Sequence, residues 1–84
     1  MKVELLLRPG CPNAAAARSV LAESLDQLGL AIPVHERESE FASPTVLVDG
    51  VDVMTGRTGT PRIHACRLDL PTVARVVAAL ASRQ

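Results

Sequence analysis

Two cysteines, Cys11 and Cys66, are the side chains in this 84-residue chain best suited to nucleophilic or soft-metal chemistry. The reactive form is the thiolate, so the question is what surrounds each sulfur. Cys11 is followed by Pro12-Asn13 and a run of strong helix formers from Ala14 to Leu28, which sets it at the start of a helix. A helix N-terminus offers unpaired N–H groups and roughly half a positive charge, both favouring an anion. Cysteines so placed have pKa values of about 3.5 to 7.5, against about 8.5 for an ordinary thiol. Arg8, three residues earlier, adds positive charge. The competing reading makes Cys11 a small buried hydrophobe at the helix start.

Cys66 lies in an aperiodic stretch from Met54 to Leu70. Either that loop swings back to bring Cys66 to Cys11 as a resolving cysteine or second soft ligand, or Cys66 is an incidental thiol. A bridge needs Cα atoms within about 7 Å. His64 forms His-x-Cys with Cys66, a pattern that can chelate a soft metal, supply a base, or simply stand in solvent. Cys11, Cys66 and His64 are thus the alternative metal ligands. Arg57, Arg62 and Arg67 with Gly56 and Gly59 suggest an anion-binding or mobile polar loop, although Gly56-Arg-Thr-Gly59 matches no phosphate motif. An arginine such as Arg67 suits bidentate recognition of a carboxylate, for example on glutathione. Glu36, Glu38 and Glu40 alternate and read as a solvated face; His35 reads as the solvent-facing end of a strand.

These residues must be positioned by a single domain, since 84 residues leave no room for a second. The chain is 48% apolar, with Phe41 its one aromatic residue, so the expected core is aliphatic. A formal net charge of zero gives no long-range field for nucleic acid or an anionic membrane. The first apolar run is too short for a signal peptide or a bilayer span, and cytoplasmic residence is expected. There, two cysteines are reduced by default, and a disulfide between them is functional rather than structural.

Val3 to Leu7, bounded by Arg8-Pro9-Gly10, reads as a buried central parallel strand. Pro12 suits the first helical position. Ala14, Ala17, Leu21, Leu25 and Leu28 then form an apolar stripe, with Gly29 as the stop. A second strand is expected over Ala31 to Glu36, parallel to the first through a right-handed crossover. Glu36 to Glu40 is expected to be solvated, with Phe41 and Ala42 closing one turn. Thr45–Val48 and Val51–Val53 flank Asp49-Gly50, a strong type I′ hairpin signal. A final helix is expected to be capped by Asp69, with Pro71 in its first turn and Val73, Val76, Val77 and Leu80 buried.

This order, with Gly-Cys-Pro-Asn at 10–13 and Ser-Pro-Thr at 43–45, resembles the thioredoxin/glutaredoxin superfamily. Within it, the chain looks most like small single-domain bacterial proteins carrying Cys-Pro-Asn, Ser-Pro-Thr, Val-Asp-Gly and a later Cys-Arg. Here these read Cys11-Pro12-Asn13, Ser43-Pro44-Thr45, Val48-Asp49-Gly50 and Cys66-Arg67. Such proteins are variously labelled thioredoxin-family or organomercurial-lyase-like. The resemblance implies an α/β fold, β-α-β-(turn)-β-β-α, with a four-stranded mixed sheet and helices packed on it. It implies Cys11 as the active-site cysteine and Pro44 as a cis-proline ahead of the hairpin. Pro12, Asn13, Ser43, Pro44, Thr45 and Arg67 would then face the substrate.

Ala14 stands where thioredoxins carry their second cysteine, so the dithiol mechanism does not transfer. The helix usually found before the cis-proline has shrunk to about a turn, which leaves one sheet face thinly covered and open to a partner. The implied activity is monothiol exchange through a mixed disulfide at Cys11 with a protein or glutathione, resolved by Cys66 where the loop brings it close enough. No cofactor is implied beyond glutathione as co-substrate. The alternatives are a soft-metal or organomercurial binding protein and a non-catalytic interaction module.

Overall fold

The computed structural model describes residues 1–38, 44–56, 58 and 70–83. Strands β1 (Val3–Leu7), β2 (Val34–Glu38), β3 (Thr45–Val48) and β4 (Val51–Asp52) and helices α1 (Ala14–Leu28) and α2 (Val73–Ala81) follow in the order β1-α1-β2-β3-β4-α2. The strands form one mixed sheet in the order β2-β1-β3-β4. β1 is parallel to β2, from Val3 opposite Val34 to Leu7 opposite Glu38. On its other side β1 is antiparallel to β3, which in turn is antiparallel to β4.

Every residue of β1 is buried, as a strand with neighbours on both sides requires. Side chains alternate across the sheet, so Val3, Leu5 and Leu7 share a face with Val46 and Val48. Both helices pack there: Ala17, Leu21 and Leu25 of α1 and Val76 and Leu80 of α2 complete that core. The opposite face carries Glu4, Leu6, Thr45, Leu47 and Asp52, all buried. Leu6 and Thr45 are fully shielded, so the centre of this face is not laid open as expected.

α1 closes on Gly29 in the left-handed region, at φ 65°. The N–H of Gly29 donates to the Asp26 carbonyl and that of Leu30 to the Leu25 carbonyl, which satisfies two carbonyls the helix end would otherwise orphan. Ser24 joins the buried stripe because its hydroxyl donates back to the Val20 carbonyl at 2.7 Å.

Three boundaries differ from expectation. Pro12 is exposed and precedes the helix, which starts at Ala14 behind Asn13. The Cys11 N–H donates to the Arg8 carbonyl and the Ala14 N–H to the Cys11 carbonyl, so a turn occupies the expected first helical residues. β2 begins at Val34 rather than Ala31 and runs on through Glu38. Pro33 has no N–H for a ladder, and the five residues of β1 supply exactly as many partners as β2 uses, Val34 to Glu38. Its charged side chains are tolerated because β2 is an edge strand with His35 to Glu38 exposed. In α2 the cap is Thr72, whose Oγ1 accepts the Arg75 N–H at 3.3 Å; Pro71 lies just outside the helix. The expected cap Asp69 and the expected turn at Phe41 and Ala42 lie outside the described residues.

The hairpin follows expectation. Asp49 and Gly50 both have positive φ, 50° and 82°, as a type I′ turn demands, and Val48 faces Val51. The turn is tied to the start of β1: the Lys2 N–H donates to Asp49 Oδ1 at 2.7 Å and the Asp49 N–H to the Lys2 carbonyl at 2.8 Å. β4 is shorter than expected, although Val53 still donates to the Val46 carbonyl.

Candidate functional site

The site is one end of the sheet. β1 runs out at Leu7, and the chain turns through Arg8-Pro9-Gly10 to Cys11 before entering α1. β3 starts at that same end, since Thr45 pairs with Leu6. Pro44 and Thr45, both fully buried, therefore share the sheet end that carries Cys11. Antiparallel pairing of β3 with β1 is what brings residues so far apart in the chain to one edge.

Both helices also begin there. α1 necessarily starts where the β1 turn delivers it. α2 is oriented by two contacts: Arg75, in its first turn, donates from Nη1 to the Met54 carbonyl just past β4 at 3.3 Å. Arg83, past its C-terminus, lies 3.8 Å from Asp49 at the hairpin turn. The N-termini of α1 and α2 thus point toward the Cys11 end, and neither first turn holds an acidic residue. Two positive helix ends with no carboxylate in their first turns favour negative charge at this end.

Around Cys11 the backbone is ordered by its own hydrogen bonds, at 3.1 Å to the Arg8 carbonyl and 3.3 Å from the Ala14 N–H. Asn13 is half-buried and its side chain makes no cap bond; its carbonyl receives the Ala17 N–H. Cys11 is 9% exposed, so a small part of the residue meets solvent. Arg8 is half-buried and Pro12 exposed beside it. Cys66, His64, Arg67 and Ser43 lie outside the described residues, as do Arg57, Arg62 and Gly59. Among the described residues no group of three or more His, Cys, Asp or Glu side chains could hold a metal ion. No described helix is long and apolar enough to cross a membrane.

Sequence reasoning passed over two buried carboxylates on the sheet face away from the helices. Glu4 interrupts the apolar run of β1, yet its side chain is 8% exposed and accepts from Arg37 Nη1 at 3.2 Å, with Lys2 Nζ at 4.0 Å. The signal was present: a lone acid inside a strand-forming run needs a cation on its own face, and alternation in the next parallel strand offers His35 and Arg37. Asp52 is the second; its Oδ1 accepts the Met54 N–H at 2.8 Å. On the other face Arg18 of α1 donates to Glu36 of β2 at 2.9 Å. That hydrogen bond, then the charge of Glu36, raises the Arg18 pKa above its ordinary value. Set against known proteins, the chain matches no family model, no curated protein and no solved structure.

Proposed function

We propose that this chain is a monothiol thioredoxin/glutaredoxin-like protein that works through a mixed disulfide at Cys11. One observation carries the reading: Cys11 sits between the end of a central strand and the start of a helix, at the sheet end where buried Pro44 leads into β3. The two helix N-termini at that end favour the thiolate. The Cys11 thiolate attacks a disulfide RS–SR, forming Cys11–S–SR and releasing RS⁻. A second thiolate, from Cys66 or external glutathione, then attacks the Cys11 sulfur or its partner and expels the other as thiolate. In this proposal Pro44 borders the sulfur, and Pro12, Asn13, Ser43, Thr45 and Arg67 keep the substrate-binding role that the resemblance implies. The reduced compartment this cycle requires is the cytoplasm.

The test is to incubate the reduced chain with oxidised glutathione and locate the adduct by mass spectrometry. One glutathione on Cys11 is expected. A Cys11 that stays unmodified in the folded chain, yet is modified in denaturant, overturns the reading.

The 9% exposure of Cys11 favours a second reading, in which it is a core residue of a non-catalytic interaction module. That reading expects no adduct in the folded state and an unchanged fold and partner set in Cys11→Ser.

A further inference from the structure

Between α2 and the β3–β4 hairpin lies an open groove of about 380 Å³, on the flank of the domain away from β2. Its floor is Val51 and Val53 of the hairpin, and its far wall is Ala78 and Ala79 of α2. The two alanines are what leave the space: Leu or Val there would fill it. Val51, Val53 and Ala79 are only half-buried, so apolar surface stays wet.

The exposed charge among the described residues of this groove is cationic, while its acid is buried. Arg75 and Arg83 both line it. Arg75 donates to a neutral partner, the Met54 carbonyl at 3.3 Å, and no described carboxylate pairs with it. Arg83 has Asp49 at 3.8 Å, beyond hydrogen-bond range, and stands just past the C-terminus of α2, whose partial negative charge suits it. Among the described lining residues Asp52 is the one acid; it is 5% exposed and accepts the Met54 N–H. Among the described residues, the exposed positive charge here with no carboxylate partner is Arg75, about 12 Å along the helix from Arg83 at about 1.5 Å per residue.

We infer that this groove binds a small amphiphilic carboxylate: the head pairs with the Arg75 guanidinium, and the alkyl tail lies over Val51 and Val53 against Ala79. A guanidinium presents paired N–H donors that match a carboxylate, and a volume of a few hundred Å³ suits a ligand of this size. The inference is independent of Cys11.

The test is an NMR titration of the ¹⁵N-labelled full chain with octanoate, with octanol as the neutral control. Expected are saturable amide shifts at Val51, Val53, Ala78 and Ala79 and at Arg75 Nε, with octanoate binding tighter than octanol. Arg75→Gln should weaken octanoate about fivefold, the scale of an exposed charge pair. Arg83→Gln should change it less than twofold, and Ala78→Leu should abolish it by filling the groove. Unchanged circular dichroism shows that each variant folds; one that does not is replaced by chemical-shift mapping on the parent chain. Shifts elsewhere or none at all, equal binding of octanol, or an Arg75→Gln chain that binds octanoate undiminished would each overturn it.

Discussion

Arg37 Nη1 donates to Glu4 Oε2 at 3.2 Å across the β1–β2 pair. The two are diagonal neighbours on one face, because His35 is the residue directly opposite Glu4. This contact lets a carboxylate occupy the middle of a buried central strand. The acid's side chain is 8% exposed while the arginine's is 51%, so water reaches the arginine far more than the acid.

Removing the arginine should cost more than an ordinary surface pair. Arg37→Ala leaves a buried carboxylate with only Lys2 at 4.0 Å. A loss of about 1–2 kcal/mol is expected, a value discounted for the exposed guanidinium. Glu4→Gln in the Arg37→Ala background should restore part of it, since a neutral amide is cheaper to bury. Urea denaturation of the single and double variants measures both. A cycle with no coupling would show that the contact is incidental.

Ala14 is the position at which a second cysteine would complete Cys-x-x-Cys. The Ala14 N–H donates to the Cys11 carbonyl in a single turn, at 3.3 Å. Residues so linked hold their Cα atoms within the roughly 4.4–6.8 Å that a disulfide needs. Ala14→Cys is therefore expected to oxidise to an intramolecular disulfide and to acquire turnover in an insulin-reduction assay. A variant that folds but oxidises only between molecules would place the two sulfurs on diverging vectors and count against the proposed function.

Gly29 and Gly50 hold left-handed backbone, at φ 65° and 82°, and a Cβ on either meets no neighbour within 4 Å. The expected loss for Gly29→Ala or Gly50→Ala is thus conformational, about 1–2 kcal/mol. Leu21→Ala, in the fully packed core, should lose about 2–5 kcal/mol through lost transfer energy and a cavity. Thermal unfolding should rank the leucine variant as the least stable; the reverse order would mean that the core collapses around the gap.

β2 is an edge strand whose side chains sort by charge: Glu36 and Glu38 on the helix face, His35 and Arg37 on the other. Two copies pairing antiparallel about a two-fold axis must oppose residues of the same face, so acids meet acids. The wild-type edge should resist self-pairing, and Glu36→Val with Glu38→Val should promote it. Light scattering across a concentration series reads this directly; a double variant that stays monomeric at high concentration contradicts it.

Much of this architecture is legible in the sequence. The apolar run of β1, the stop at Gly29 and the Asp49-Gly50 turn depend on dihedral preferences and on periodicities that act within a few residues, so local reading suffices. The strand and helix around Cys11, and Pro44 ahead of β3, belong to the same class. Cys66, His64, Arg67 and Ser43, four of the nine sequence-derived site residues, lie outside the described residues.

Other features depend on partners that a local window does not contain. β2 ends where it does because β1 offers it five residues to pair with. Glu4 became a buried, paired acid only when register brought Arg37 beside it, and Cys11 became 9% exposed only once its helix had packed. Burial and pairing are sums over contacts distant in the chain. They follow from the composition of a segment's neighbours as much as from its own, and for that reason the tertiary structure alone decides them.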